Sequence, residues 1–383
     1  MDDPGPPGPT ATSRSAESNV SGAGTHELFF DLVFVYGITQ VSGLLAHDVD
    51  AGGLATSGLV LALMWWVWSQ YTWAINAVDA DRPAAVIALL GAAAAAFFCA
   101  QAIPDAYGAA GDWFGIAYFV LHTGGLSIYW LSLGGDIAHR QALRTYLPLA
   151  TIAPAVVLLG GLAPPAARAW IWTGALALEI AGALNAGRGD FRIQPTRFAE
   201  RYSLIVIIAL GEAIVAVGVS TADQTRSGRF AVTATTALLL IGLLYVSYFG
   251  SITDHTARFL ERTPPSRQAR AARNLYTFLH LPIVAGIVSI TVAAERIVHH
   301  PTRPLDHGGR VALALGNGLF LGSFVITHAL TARTLLYERL AMIVAVASVC
   351  IAAAQWSSLA IGVATAAALA AGLSVEAIRL RDT

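Results

Sequence analysis

The sequence contains no lysine, only two cysteines, and little charge of either sign. Charged residues make up 12% of the 383 positions, whereas hydrophobic residues make up 56%. So few charges cannot cover the surface of soluble domains of this total size, which excludes a soluble globular protein. The 23 basic residues, all arginine, are balanced by 24 acidic residues, so the chain offers no basic surface for a nucleic acid.

Several functional motifs are missing as well. Cys99 and Cys350 both lie inside apolar runs, which argues against a disulfide framework or a thiolate metal site, and we expect both to be buried. The chain has no GxxxxGK[ST] phosphate loop, no HExxH zinc pair and no GxSxG nucleophile elbow. ATP-driven transport, zinc proteolysis and serine hydrolysis therefore have no support in the sequence.

Long apolar runs are the main feature that is present. A helix needs about 20 apolar residues to cross the hydrocarbon core of a bilayer, and the runs lack the alternation typical of an outer-membrane barrel. The sequence therefore predicts an all-α integral membrane protein with about twelve transmembrane helices. The twelve runs cover 29–46, 53–76, 83–103, 113–133, 146–162, 167–184, 202–219, 230–250, 275–298, 311–330, 337–354 and 357–374.

The arginines give an independent test of this count. Seventeen of the 23 fall in the two terminal tails and the even-numbered loops, or at the span ends beside them, and six fall on the opposite side. Loops that face the cytoplasm carry the excess of positive charge. We therefore expect a multi-pass membrane protein with both termini in the cytoplasm and the lipid bilayer as its surroundings.

The chain divides into two halves of similar pattern. Glu27 begins the first run, with Gln40 thirteen positions later, and Glu200 begins the seventh, with Glu212 twelve positions later. We interpret this as two parallel six-helix halves. Residues 1–25 are rich in proline, glycine and serine and predict a disordered tail. The halves are 26–184 and 202–376, with a cytoplasmic linker at 185–201 and a cytoplasmic tail at 377–383.

Acidic residues inside the runs are the first candidates for a functional site, because an ionisable group in a membrane is costly. Glu212 lies near the middle of its run, and Gly211 before it would let a neighbouring helix or a ligand approach. Glu27 and Asp31 are four positions apart and share one helix face. Their repulsion requires a shared proton, an arginine from another helix or a bound cation. Glu27 alone could also be a helix cap.

Three further buried positions are candidates with weaker signals. Glu179, His122 and His280 all fall inside apolar runs. Each could instead form an ordinary buried hydrogen bond, but the two histidines together with Glu212 could also form a proton relay. Pro282 would loosen the helix after His280. Two other acids lie near span ends beside arginines, where we expect interfacial ion pairs; they are Glu295 and Glu338.

A weaker pattern suggests an enzyme. Asn76, Asp79 and Asp81 follow the second run at its cytoplasmic end. Oxygen ligands of this kind could hold Mg²⁺ and a diphosphate, although the same residues make an ordinary loop. Apart from Mg²⁺ in this alternative, the sequence predicts no cofactor and no metal site.

Three motifs resemble the bacterial low temperature requirement A (LtrA) family. They are ELFFDLVFV at 27–35, ERY at 200–202 with LGE at 210–212, and HLP at 280–282 followed by AG at 285–286. The resemblance covers nearly the whole chain after the tail, with Ser203 where the family pattern has glycine. It implies a bacterial membrane protein linked to growth in the cold, without an agreed reaction. It also marks six residues as important: Glu27, Asp31, Glu200, Arg201, Glu212 and His280.

Two functional hypotheses follow. The first is translocation of a small solute or ion, with proton coupling as one form of it. Glu212 would be the central carboxyl, Glu27 and Asp31 its counterpart in the other half, and His280 a relay or ligand contact. The second is a membrane-embedded enzyme that acts on a lipid or isoprenoid diphosphate. A sensor or scaffold is a third alternative, but the chain lacks a soluble output domain. No catalytic residue can be assigned.

Overall fold

The computed structural model describes residues 24–76, 83–131, 137–186, 193–222 and 224–381. These residues form fourteen α-helices and no strand. A 3₁₀ turn at Ile103–Asp105 follows the third helix, and a π turn at Arg273–Phe278 precedes the eleventh. The helices are α1 Thr25–His47, α2 Ala51–Asn76, α3 Pro83–Ala102, α4 Gly111–Leu131, α5 Ile137–Leu162, α6 Pro165–Ala186, α7 Pro195–Ser220, α8 Gly228–Tyr248, α9 Ser251–Arg262, α10 Pro265–Ala272, α11 Leu279–His299, α12 His307–Ala332, α13 Tyr337–Ala352 and α14 Ser358–Arg381.

Every predicted apolar run overlaps one of the long helices, and α9 and α10 are two additional short helices between α8 and α11. Within the described ranges, eight segments are long and apolar enough to cross a bilayer. The chain is therefore a polytopic helical membrane protein. The eight segments are Thr25–His47, Ala51–Asn76, Pro83–Asp105, Pro195–Ser220, Gly228–Arg262, Pro265–His299, His307–Ala332 and Ser358–Arg379.

Four helices extend past the boundaries of the halves that the sequence predicted, α1 and α6 by one or two residues and α7 and α14 by more. α7 begins at Pro195, inside the interval 185–201 assigned to the linker. A proline at the first turn favours a helix start, because its missing N–H is not needed there. α14 continues to Arg381, into the interval 377–383 assigned to the tail. The predicted disordered segment lies almost entirely outside the described residues.

α2 is an interior helix of the first predicted half. Every side chain from Val60 to Thr72 is buried, and α2 contacts α1, α4, α6, α7 and α11. A helix that is apolar around its whole circumference belongs in the interior of a bundle. This position brings the tryptophans of α2 against the first helices of both halves.

Several helix contacts recur in the two predicted halves, although α2 packs on α4 whereas α8 packs on α11. In the first, α1 packs on α2 and α3, and the chain then packs in sequence from α3 to α6, with α2 also on α6. In the second, α7 packs on α8 and α11, and the chain packs in sequence from α11 to α14, with α8 also on α14. α1 and α7 contact each other directly, so the first helices of both halves meet at the centre.

One close helix pair depends on glycine. A Cβ atom on Gly286 of α11 would lie 2.7 Å from the carbonyl oxygen of Gly316 on α12. No larger residue fits at that distance, and small residues allow such close packing in membranes. Gly286 belongs to the AG motif at 285–286. The close packing of α11 on α12 explains why a glycine stands at this position.

Candidate functional site

Glu27 and Asp31 occupy one face of α1 and are completely buried. Two arginines of α7 neutralise them. Arg201 Nη2 donates to Asp31 Oδ1 at 2.7 Å, and Arg201 Nε lies 3.4 Å from Glu27 Oε2. Arg197 forms a further ion pair with Glu27. Of the three ways in which the repulsion could be relieved, the structure shows arginines from another helix. We call these four residues the charge cluster.

Arg197 is the member of this cluster that sequence analysis missed. It precedes Arg201 by four positions, which is the spacing that separates Glu27 from Asp31. Residues four apart lie on the same face of a helix. The matched spacing of two acids and two arginines was therefore the signal that could have paired α1 with α7.

Trp68 of α2 completes the environment of Asp31. Its indole Nε1 donates to Asp31 Oδ1 at 2.8 Å, and the guanidinium of Arg201 lies 5.9 Å from the centroid of the Trp68 ring. Asp31 Oδ2 and Arg201 Nη1 are buried without a hydrogen-bond partner among the described residues. Within the described part of the chain, Glu27 Oε2, Arg197 Nε and Arg201 Nε are also without a hydrogen bond, so the cluster keeps two acceptors and three donors that its own side chains do not satisfy.

A second polar group lies beside the charge cluster. The hydroxyl of Tyr202 is 2.8 Å from Ser69 Oγ and 2.9 Å from Thr277 Oγ1, and the latter two atoms are 3.1 Å apart. Trp73 Nε1 donates to Thr277 Oγ1 at 3.0 Å, and Trp65 Nε1 donates to the Thr277 carbonyl at 2.8 Å. We call Ser69, Tyr202 and Thr277 the hydroxyl triad.

The π turn at Arg273–Phe278 explains how Thr277 reaches so many partners. A π turn widens the helix locally and is frequent at functional sites. Here both the hydroxyl and the carbonyl of Thr277 bond to α2. The sequence predicted that Pro282 would loosen this region, but the irregular backbone lies before it, ahead of Leu279.

His280 is buried against the hydroxyl triad and does not reach the charge cluster. Its Nε2 lies 2.9 Å from the hydroxyl of Tyr248, and its Nδ1 lies 3.1 Å from the carbonyl oxygen of Leu275. Because a carbonyl only accepts, Nδ1 carries the hydrogen. The Tyr248 hydroxyl that faces Nε2 also lies 3.5 Å from the carbonyl oxygen of Tyr202. The imidazole also stacks on Tyr276, with 5.0 Å between ring centroids. Both nitrogens of His280 are thus engaged within the protein.

Glu212 lies elsewhere, in a cavity of 480 Å³ between α1, α7 and α11. We call it the carboxyl cavity, because Glu295 of α11 also lines it. Both side chains are partly exposed. The predicted approach of a neighbouring helix at Gly211 is wrong, since no atom of one lies within 4 Å of where its Cβ would be. The approach of a ligand there stays a prediction. Glu212 therefore points into open space that α1 and α11 complete.

The expected interfacial pair of Glu295 is also wrong. Arg296, its neighbour in sequence, forms an ion pair with Asp306 and donates to the carbonyl of Ala46 at 3.1 Å. Successive residues of a helix point in different directions, so Arg296 faces the loop while Glu295 faces the cavity. Glu338 does pair with an arginine, namely Arg379 at 3.0 Å.

Another cavity, of 60 Å³, lies among α2, α4, α5, α6 and the π turn. That volume holds a few water molecules. Gln70 at its wall is almost fully buried, and its Oε1 has no hydrogen-bond partner among the described residues. We call it the aromatic cavity; its lining is Trp66, Ser69, Gln70, Trp73, Tyr129, Tyr146, Ala183, Ala269, Arg273 and Thr277.

His122 and Glu179 form a buried pair next to the aromatic cavity. His122 Nε2 lies 2.5 Å from Glu179 Oε1, and both side chains are completely buried. Gln70 Nε2 donates to the carbonyl of His122 at 3.3 Å, which connects the pair to the cavity wall. Glu212 lines the separate carboxyl cavity, so the structure does not bring the two predicted histidines and Glu212 together as a relay.

Two other predicted residues fall outside these groups. Glu200 is exposed on α7 and is not part of the charge cluster. Asn76 is buried, and its Oδ1 accepts from the backbone N–H of Gln194 at 2.7 Å, so its amide is engaged in holding α2 to the start of α7. Asp79 and Asp81 lie outside the described residues. Over the described ranges, no three histidine, cysteine, aspartate or glutamate side chains form a group that could hold a metal ion.

Sequence analysis also missed two buried arginines. Arg339 bonds both carboxylate oxygens of Glu376, at 3.0 and 3.1 Å, and lies over the ring of Phe324. Arg168 donates to five carbonyl oxygens, two of them in the segment between α3 and α4 and three near the end of α5. Both stand at the ends of apolar runs, where an arginine in sequence resembles an ordinary loop residue.

Comparison with known proteins agrees with the resemblance found in the motifs. A family model described as bacterial low temperature requirement A protein (LtrA) matches residues 22–374. The chain is also 28% identical over 335 residues to the uncharacterized protein RA0937 of Rhizobium meliloti (strain 1021), which covers 85% of this chain and 81% of that protein. No solved structure matches the chain significantly.

Proposed function

The chain belongs to the bacterial LtrA family, and we propose that it moves a small solute or an ion across the bacterial inner membrane. The observation that carries this proposal is a pair of cavities toward opposite ends of the same helices. The charge cluster lies at the level of the aromatic cavity, because Asp31 contacts Trp68 while Ser69, Trp73 and Thr277 line the cavity wall. A protein that alternates access between two sides needs two openings of this kind.

The position of the cavities follows from the direction of the helices. Early residues of α1 contact early residues of α7, as in the pair of Asp31 with Arg201. Later residues of α1, α7 and α11 line the carboxyl cavity together, so these three helices run parallel. The aromatic cavity is lined by the end of α2, which runs antiparallel to them, and by Thr277 before α11. The two cavities therefore lie toward opposite ends of the same helices.

Twelve spans in two parallel halves are part of the proposal. The helix contacts that recur from α1 to α6 and from α7 to α14 support the halves. The uneven distribution of arginines supports an even number of spans with both termini in the cytoplasm. A charge cluster built from the first helix of each half then lies where the two halves meet, which is where transporters of repeated design bind their substrates.

Proton coupling is assigned to the carboxyl cavity. Asp31 and Glu27 are neutralised by arginines in this conformation, so they hold the halves together. Glu212 and Glu295 have no arginine partner among the described residues, and both face the cavity. Carboxyl groups in such a place can gain and lose protons as the cavity opens and closes.

Flux through reconstituted vesicles tests the proposal. Purified protein is placed in vesicles that contain a pH-sensitive dye, and proton flux is followed after a pH gradient is imposed. We expect Glu212→Gln to lose most of the flux, since the amide cannot carry a proton. Asp112→Asn is the control, because Asp112 is an exposed acid that lines neither cavity. Equal flux for wild type and Glu212→Gln would overturn proton coupling through this residue.

A further inference from the structure

Helix α9, Ser251–Arg262, presents one histidine and two arginines along one face. His255, Arg258 and Arg262 are spaced three and four positions apart, which places them on one face of a helix. Arg258 and Arg262 are exposed, and neither has an ion pair or hydrogen bond with a described residue. Arg258 and Arg262 are four positions apart and repel each other, so an anion between the two guanidinium groups is favoured.

The same side chains surround a cavity of 350 Å³, together with Phe259. His255 forms one wall, and its ring lies 5.9 Å from that of His328 near the end of α12. The Nε2 atom of His255 is buried without a partner among the described residues. The cavity therefore offers two guanidinium groups and one imidazole nitrogen to a single ligand.

The place of α9 in the fold indicates the source of that ligand. α9 follows α8 directly, contacts α7 and α12, and is joined to the start of α7 by the bond from Thr196 to Glu261 at 3.0 Å. It therefore crosses the ends of membrane helices. A helix this polar does not enter hydrocarbon but lies in the interface. Its apolar residues Ala257, Phe259 and Leu260 pack on the protein core.

We propose that His255, Arg258 and Arg262 bind the phosphate of an anionic phospholipid headgroup, with Phe259 against its glycerol or acyl region. Guanidinium groups bind phosphate oxygens in a paired geometry that lysine cannot reproduce. The site is separate from both cavities of the proposed transport path. Its role is to fix α9, and with it the connection between α8 and α11, to the membrane surface.

Lipid binding to the intact protein tests this site. The purified chain is delipidated in detergent and titrated with phosphatidylglycerol, phosphatidylcholine or inorganic phosphate, and bound molecules are counted by native mass spectrometry. We expect wild type to bind phosphatidylglycerol in preference to phosphatidylcholine. Arg258→Gln/Arg262→Gln should weaken phosphatidylglycerol binding about tenfold or more, since each arginine near an anionic surface adds to the attraction.

The matched control is Arg226→Gln/Arg229→Gln, which removes two exposed arginines at the opposite end of α8. It should bind phosphatidylglycerol as wild type does. Melting in neutral detergent should be equal for all three proteins, which separates loss of the site from loss of the fold. Unchanged lipid binding in Arg258→Gln/Arg262→Gln would overturn the site. Equal binding of phosphatidylcholine, or competition by inorganic phosphate at the lipid's concentration, would overturn the assignment to an anionic lipid.

Discussion

Arg201 Nη2 and Asp31 Oδ1 are 2.7 Å apart although 170 positions separate the two residues in the chain. Both side chains are buried, and the bond joins the first helices of the two predicted halves. Two charges removed from water are tolerated only when they meet in good geometry. The position of α1 relative to α7 is therefore fixed by this pair and its neighbours. The carboxyl cavity depends on that position, because α1 and α7 both line it.

Removing one partner of this pair should destabilise the protein strongly. Asp31→Asn leaves the guanidinium of Arg201 buried with less compensation, and we expect a loss of about 3–5 kcal/mol in the free energy of unfolding. Thermal melting of the purified protein in detergent measures it. Asp31→Asn/Arg201→Gln should recover part of the loss, because neither charge then remains unpaired. A single variant that melts at the wild-type temperature would contradict the structural role of the pair.

The hydroxyl triad gives a prediction with little change in shape. Thr277→Val keeps the side-chain volume but removes the hydroxyl that Tyr202, Ser69 and Trp73 contact, at a cost of about 1–3 kcal/mol. Thermal melting compares it with Thr173→Val. The Thr173 hydroxyl is exposed and bonds only the carbonyl of Ala169 in its own helix. Equal effects of the two substitutions would show that the triad adds no stability.

Arg168 should not be replaceable by lysine. Its guanidinium donates to five carbonyl oxygens at once, and an ammonium group cannot match that planar arrangement. We expect Arg168→Lys to increase hydrogen exchange in residues 103–111 and 160–164, where the carbonyls lie. Arg229→Lys, at an exposed arginine, is the control. Unchanged hydrogen exchange in both segments of Arg168→Lys would show that these hydrogen bonds do not require the guanidinium group.

Cysteine labelling tests the arrangement of loops about the membrane. The two native cysteines are buried, so labelling of introduced thiols has little background. Asp48→Cys lies between α1 and α2, and Ser266→Cys lies on α10; both positions are exposed. Under twelve spans with cytoplasmic termini, an impermeant reagent should label Asp48→Cys from outside and Ser266→Cys only after the membrane is opened. Labelling of both from the same side would contradict that topology.

The sequence by itself determined the class of the protein and the places of its helices. Length and hydrophobicity of the runs are local properties, and they decide whether a segment is helical and apolar. The same local pattern identified Glu27, Asp31, Glu179 and Glu212 as acids in or beside apolar runs, where an ionisable group costs free energy. The sequence also shows that Glu27 and Asp31 are four positions apart, which places them on one face of the helix.

Only the tertiary structure decided which of these groups meet. Sequence analysis grouped Glu212 with Glu27 and Asp31. In the fold, Glu212 lies in one cavity with Glu295. Glu27 and Asp31 instead form ion pairs with Arg197 and Arg201. Contacts between distant segments depend on the rotation and depth of each packed helix, which periodicity along one helix does not specify. Arg339 and Glu376 make the same point, because a charged residue near a span end enters the interior or stays in a loop according to what packs beside it.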